Sequence, residues 1–409
     1  MRIVSLKGGD DQMRGEKMRV LIVSDVSAEE VHGGAERMLV HHIRALSEQG
    51  NEVTVLTRQP DPNAALKIAL ENSVVEHRLP YAGDRGPAGL KQLKKGAQSW
   101  WKEHVDRFDI VVAEQPFTIW ALLQAGCDLP RLQVCHSFAF EEYASRHGRS
   151  GGFRHRLAAA AMRRLEKKVY RSADRFIVLS HFMQNRLISF FQISSELITI
   201  APGGVDIPEP FSSDNRDQLR ASLQWRGPVI ITLRNLVIRT GVDLLVEAAA
   251  ILKNDLPDLQ WCVIGRGELL ESLQAQAKQL GVSDIVEFAG YLSESEVKKR
   301  MFAADLFMLP TRDLEGFGLV TLEANACGLP VVATPVTANK EVVPSLPLNL
   351  LADDVSAASL AVGVYKMLDE KRGEGEASRV ALQKAVETRY AWHYHDDAFV
   401  QSVKALVRS

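Results

Sequence analysis

Apolar positions along this chain come in short runs that stop at polar, glycine-bearing segments and are then followed by helical spacing. The first run is "MRVLIVSD" (18–25). It ends in the loop "VSAEEVHGGAER", after which "MLVHHIRALSEQG" places apolar residues at helical intervals and closes at Gly50. The same order of strand, loop and helix continues through the strand-like runs "EVTVLT" (52–57), "FDIVVAE" (108–114), "LQVCHSF" (132–138), "RFIVLS" (175–180) and "ITIAP" (198–202). Strands separated by helical stretches predict a parallel, doubly wound sheet.

A segment rich in Gly, Pro and Asp, "APGGVDIPEPFSSD" (201–214), interrupts the pattern, which then restarts. Its second half holds "PVIITL" (228–233), "LQWCVIG" (259–265), "IVEFAG" (285–290), "DLFMLP" (305–310) and "LPVVAT" (329–334). The expected organisation is therefore a disordered leader over 1–17, an α/β domain over 18–205, a second over 206–388, and a closing helix over 389–409 that packs back on the first domain. Met13 and Met18 both precede the first strand, so an over-early start accounts equally well for the leader. Open α/β sheets bind ligands beyond the carboxyl ends of their strands, so two facing sheets predict one cleft, lined by strand-to-helix turns.

Composition narrows the partner less than the pattern does. The 409 residues suffice for two cores, and the formal net charge of −2 gives no global pull toward nucleic acid. Cys127, Cys135, Cys262 and Cys327 lack the close pairing of a zinc site and are too few for a disulfide framework, which suits a reducing cytoplasm. No apolar run approaches the roughly 18 residues that cross a bilayer, and residues 1–17 contain no apolar core of signal-peptide length.

Three turns carry candidate chemistry. In "HGGAER" (32–37), Gly33 and Gly34 let the backbone approach a ligand, and the helix that follows aims free N–H groups at it, as an anion requires; an ordinary flexible turn reads the same way. In "VCHSF", His136 ends a strand and can face the cleft. In "EGFGLVTLE" (315–323), Gly316 and Gly318 permit a tight turn before a helix, with Glu315 ahead of it and Glu323 about one turn in. Ionised carboxylates accept hydrogen bonds only, which suits the hydroxyls of a sugar or ribose; the plainer alternative is that Glu323 caps or salt-bridges within the helix and Glu315 is a first-turn acid.

The E-x7-E spacing in "EGFGLVTLEANACGLPVV", the early Gly-Gly turn, "APGGVD" at the junction and the "VIGRGE" turn together resemble the family 4 retaining glycosyltransferases. Their GT-B fold has two Rossmann-like domains facing across a cleft, and the resemblance runs from Met18 onward. It implies a donor sugar carried on a nucleoside diphosphate, with Glu315 on the sugar hydroxyls and Glu323 on the ribose. The N–H groups of Gly316, Phe317 and Gly318, with Leu319 behind them and Gly265 in the "VIGRGE" turn, would line the donor site. Gly33 and Gly34 would reach the diphosphate from the other domain, and His136 would lie near the reacting sugar. The resemblance implies no cofactor and no metal, and the chain has no D-x-D triplet. The acceptor hydroxyl, whether of a saccharide, a lipid-linked saccharide or a small molecule, stays open.

One departure bears on activity. The family's G-R-L-x-x-x-K-G segment reads "LRNLVIRTGVD" here, so Asn235 stands at the Arg position and Thr240 at the Lys position. Arg234 and Arg239 are each one residue away. A binding or scaffold protein with a degenerate diphosphate clamp is therefore the first rival to a transferase. A nucleotide-sugar epimerase or phosphorylase of the same fold is the second.

Two further stretches are ambiguous. "FRHRLAAAAMRRLEKKVYRSADR" (153–175) carries eight Lys/Arg and two acids, with Leu157, Ala161, Leu165 and Val169 at helical spacing. It reads as a solvated basic face on a packed helix or as a peripheral contact with the inner face of a membrane. Trp100 and Trp101 in "KKGAQSWWKEHVDR" (94–107) read as core aromatics or the edge of a site.

Overall fold

In a parallel sheet covered on both faces, each strand must be apolar on both sides, and the chain's continuous apolar runs meet that demand. The computed structural model describes residues 17–29, 33–80, 86–147, 152–370 and 375–407. His32 and the expected leader, Lys17 excepted, lie outside them. Contacts divide the chain into two units, Met1–Leu132 with Val403–Ser409, and Gln133–Ser402.

The first unit runs β1 (Arg19–Val23), α1 (Gly34–Ser47), β2 (Glu52–Arg58), β3 (Lys67–Ala69), β4 (Val75–Leu79), α2 (Pro87–His104), β5 (Ile110–Ala113) and α3 (Pro116–Leu123). Strand β1 lies between β2 and β5, and β4 flanks β2, all parallel. Strand β3 pairs with β4 antiparallel. Neither β3 nor β4 is legible as a strand in the sequence, because "VEHRL" is polar. Glu76 is nevertheless fully buried, since its carboxylate accepts from Ser27 (2.8 Å), Thr57 (2.7 Å), the Ala28 amide (3.0 Å) and Arg78 Nε (2.8 Å). A buried charge is tolerable only with such partners.

The second unit opens within β6 (Arg131–Cys135) and continues with α4 (Ala139–His147), α5 (Phe153–Tyr170), β7 (Arg175–Val178), α6 (His181–Phe191) and β8 (Ile198–Ile200), which is parallel to β7. Then follow α7 (Ser213–Ser222), β9 (Val229–Leu233), α8 (Val242–Leu252), β10 (Gln260–Ile264), α9 (Leu270–Gln279), β11 (Val286–Gly290) and α10 (Glu294–Ala303). The chain ends through β12 (Leu306–Leu309), α11 (Leu319–Ala326), β13 (Val331–Ala333), α12 (Asn339–Val342), β14 (Leu350–Leu351), α13 (Ala357–Asp369), α14 (Glu376–Tyr390) and α15 (Trp392–Val407).

Strands β9 to β14 form one six-stranded sheet in the order β11-β10-β9-β12-β13-β14, and each neighbouring pair in it is parallel. Alternate residues feed opposite cores, as the strand period of two requires. Ile230, Trp261, Val263, Leu306 and Met308 join Leu245, Leu273 and Leu360 from α8, α9 and α13 on one side. Ile231, Cys262, Ile264, Phe307 and Leu309 join Phe302 and Ala324 from α10 and α11 on the other. This is the doubly wound α/β architecture the pattern predicts, and it places every βα turn of this sheet at one edge. Among the described residues no helix is long and apolar enough to cross a membrane.

Candidate functional site

The turn between β12 and α11 is built to hold an unusual path. Leu314 sits at φ 59° and Gly318 at φ 86°, left-handed values that glycine adopts freely and leucine only when its surroundings fix it. The fixing contacts are the Thr337 hydroxyl, which accepts from the Glu315 amide at 3.0 Å, and the Glu315 carbonyl, which accepts from the Ala338 amide at 3.2 Å. Gly318 is the N-cap of α11 and provides no side chain, so the first amides of that helix are left for a ligand or water. Glu323 is the fifth residue of α11 and half-buried. The buried Cys327 one turn on has its thiol pushed up to about 12, by burial first and by Glu323 second.

Arg234, at the end of β9, reaches into this turn. Its Nη2 lies 2.9 Å from Glu315 Oε2 and 3.1 Å from the Thr311 hydroxyl, with both side chains of the pair about nine-tenths buried. Gly265, at the end of β10, makes room for it: φ is 139°, and a Cβ there would stand 1.9 Å from the Arg234 carbonyl oxygen. The remaining positions of the "LRNLVIRTGVD" segment are used otherwise. Thr240 is buried, and its hydroxyl lies 2.7 Å from both the Asn235 and Val237 carbonyls, which closes the loop before α8. Asn235 is exposed. Arg239 turns toward the Leu314 carbonyl at 3.4 Å, while its own carbonyl accepts from the Arg312 amide at 2.9 Å. Gly241 must be glycine, since at φ 69° an added Cβ would meet the Pro310 oxygen at 2.0 Å.

Segments from earlier in the second unit close on the same turn. His136, the residue after β6, is half-buried, and its carbonyl oxygen would be 2.5 Å from a Cβ on Gly316, so only glycine allows that approach. Ser180 caps α6 by accepting from the Met183 amide, and its hydroxyl donates to the Gly316 carbonyl at 2.7 Å. The α6 amides of His181 and Phe182 donate to the Glu341 carboxylate at 2.9 and 2.5 Å, a favourable place for a negative group at a helix start. Ser137, Phe138, Glu141, Glu142, Phe182, Met183, Leu314 and Gly316 line a shallow open hollow here. The buried carboxyl of Glu166 accepts from the Ala139 and Phe140 amides at the start of α4, and burial raises it to about 7.

The "APGGVD" glycines have a packing reason. A Cβ on Gly203 would stand 2.6 Å from Leu319 and 3.1 Å from Phe317, and one on Gly204 would stand 2.5 Å from Trp392. Phe317 is buried, and its ring meets Tyr390 edge-on at 6.1 Å. The Val205 amide donates to the Tyr390 carbonyl, and His395 Nδ1 lies 3.1 Å from the Ala201 and Pro202 carbonyls. Sequence reasoning missed Thr311, Ser180, Thr337 and Glu341. Ser180 is legible as a helix cap, but its bond to Gly316 spans 136 positions and leaves no local signal.

In the first unit, Gly33 is the extended N-cap of α1 and Gly34 its first residue, with no side-chain cap, so this helix start also offers bare amides. Asp25 accepts from the Phe117 and Thr118 amides at 3.2 and 2.7 Å and so ties the β1–α1 loop to the start of α3. Trp101 is buried, whereas Trp100 is half-buried and stacks on His104 at 4.2 Å. On α5, Val169 and Tyr170 are buried, while Phe153 and Leu157 stand 74% and 53% exposed.

Two family models match the chain, "Glycosyltransferase Family 4" over residues 32–209 and "Glycosyl transferases group 1" over residues 215–387. A GDP-mannose-dependent alpha-(1-6)-phosphatidylinositol monomannoside mannosyltransferase of Mycolicibacterium smegmatis is 35% identical over 234 residues. That match covers 54% of this chain and 59% of the relative's length. Among solved structures, sucrose-phosphate synthase from Thermosynechococcus elongatus superposes with a TM-score of 0.80 at 20% identity, covering 95% of this chain and 99% of that one. HepE of Anabaena in complex with UDP-glucose superposes with a TM-score of 0.74 at 19% identity, covering 95% and 100%.

Proposed function

Because the chain belongs to the group 1 glycosyltransferases of GT-B fold, we propose that it transfers a sugar from a nucleoside-diphosphate sugar to an acceptor hydroxyl, with retention and without a metal. The observation that carries the proposal is the Glu315-Gly316-Phe317-Gly318 turn, which sets a carboxylate and uncapped α11 amides side by side at the strand ends. A carboxylate accepts from sugar hydroxyls, and helix-start amides favour a diphosphate.

In this reading the bond between the sugar's anomeric carbon and the diphosphate oxygen breaks. The acceptor oxygen bonds the same carbon on the same face, and its proton passes to the departing diphosphate. The chain's residues orient the reactants and meet the charge that develops on the leaving group. Glu315 Oε1, which has no partner among the described residues, grips the sugar, and Glu323 grips the ribose. His136 stands beside the Gly316 backbone, where it orients a hydroxyl of the donor or acceptor.

A second reading keeps a specific support. Thr240 is spent on loop carbonyls and Asn235 carries no charge, so the family's diphosphate clamp is absent from its usual positions and a donor-binding scaffold fits that loss. The relatives above name guanosine and uridine carriers, so both belong in the test. Mass spectrometry of a panel of UDP-, GDP- and ADP-sugars, with EDTA and with saccharide acceptors, separates the readings. Transfer yields a glycoside plus a nucleoside diphosphate and is indifferent to EDTA. Binding without turnover supports the scaffold, and a changed donor sugar or a released sugar phosphate indicates an epimerase or phosphorylase.

A further inference from the structure

The Arg234 guanidinium is an incompletely partnered cation at a built site. Nη2 serves Glu315 and Thr311, yet the buried Nε has no acceptor among the described residues. A buried donor left without a partner is costly, more so on a charged group, and such a vacancy marks a place where a ligand atom completes the set. The surroundings are oriented for that. Glu315 Cγ would lie 3.6 Å from a Cβ on Gly318, and the buried Thr321 hydroxyl, a donor with no partner among the described residues, would lie 3.5 Å from it. The cation, the uncapped α11 start and an orphan hydroxyl therefore adjoin a single turn.

We propose that Arg234 is the cation that holds the donor's diphosphate in this chain, and that Glu315 and Thr311 are the residues that position it. The proposal rests on the transferase reading and assigns the charge missing from residues 235 and 240. Guanidinium suits the role because its planar fork can give Nη2 to the carboxylate while its other N–H groups face phosphate oxygens. Arg239 is unsuited, since its arm is directed at the Leu314 carbonyl and its backbone braces Arg312. The substitution at position 234, where the family has glycine, thus comes with Thr311 and Glu315 as a fixed cradle.

Calorimetry with UDP against UMP, and GDP against GMP, tests this on the full chain. Wild type binds the better diphosphate about tenfold or more tightly than its monophosphate. Arg234→Gln brings that preference to within about threefold while leaving monophosphate binding intact, and Arg239→Gln leaves the preference unchanged. Glu315→Gln, which still offers Nη2 an acceptor, retains the preference, whereas Glu315→Leu loses most of it. If Arg234→Gln unfolds, adding Asn235→Arg to Arg234→Lys gives the second test, which restores the preference lost in Arg234→Lys alone. A preference that survives Arg234→Gln, or vanishes in Arg239→Gln, overturns the assignment. A wild-type protein that binds neither diphosphate overturns the transferase reading with it.

Discussion

Arg234 and Glu315 form an ion pair at 2.9 Å across the ends of β9 and the β12–α11 turn, each about nine-tenths buried. Residues 81 positions apart thus make one unit, in which a carboxylate expected to face a sugar also holds a guanidinium. An acid that serves a neighbour with one oxygen retains the other for a substrate. The pair gives Glu315 and Glu323 different consequences on substitution.

Glu315→Gln removes charge from the sugar side but keeps an acceptor beside Arg234. Its kcat falls about 10- to 100-fold with diphosphate affinity within about threefold of wild type. Glu323→Ala, on the ribose side, raises the donor KM about tenfold and leaves kcat within about threefold. Steady-state kinetics on the best donor distinguishes them, and equal small effects from both contradict the roles.

Ser180→Ala removes both the cap of α6 and the bond to the Gly316 carbonyl. Stability falls by about 1 to 2 kcal/mol in chemical denaturation, and donor KM rises because the turn loses a brace.

Thr240→Val leaves the Asn235 and Val237 carbonyls without the hydroxyl donor of a buried side chain in a partly buried loop. The expected cost is about 1 to 2 kcal/mol of stability with no change in preference for a diphosphate over a monophosphate. A selective loss of diphosphate binding would instead place Thr240 in the clamp.

Glu166 supplies a pH dependence. Burial raises its carboxyl from 4.5 to about 7, so folding favours the protonated form. Its contribution is fully present below about 4.5, declines as pH rises toward 7 and is lost above that. Glu166→Gln, neutral throughout, flattens the fall in melting temperature between pH 5 and about 8.

Much of the architecture was legible because its signals are local. Alternation within "VIITL", "QWCVI" and "LFML" fixes which residues enter each core, and the apolar runs mark the parallel strands. Strands β3 and β4 were not legible, since the buried Glu76 carboxylate is met by Ser27 from the loop after β1 and Thr57 from β2, which only the fold brings to it, beside Arg78 on its own strand. The site divides the same way. Glu315, Gly316 and Gly318 lie in one short stretch, whereas the partners that give them meaning, Arg234, Ser180 and Thr337, come from distant strands and loops. Position alone left Arg234 and Arg239 equivalent, and the directions of their side chains separate them.

The most direct measurement is release of nucleoside diphosphate from a panel of UDP-, GDP- and ADP-sugars, by wild type and Glu315→Gln side by side. Turnover of at least one donor is expected, accelerated by an acceptor and reduced about tenfold or more in the variant. Donor binding with no release from any sugar, or release that is unchanged in Glu315→Gln, would contradict it.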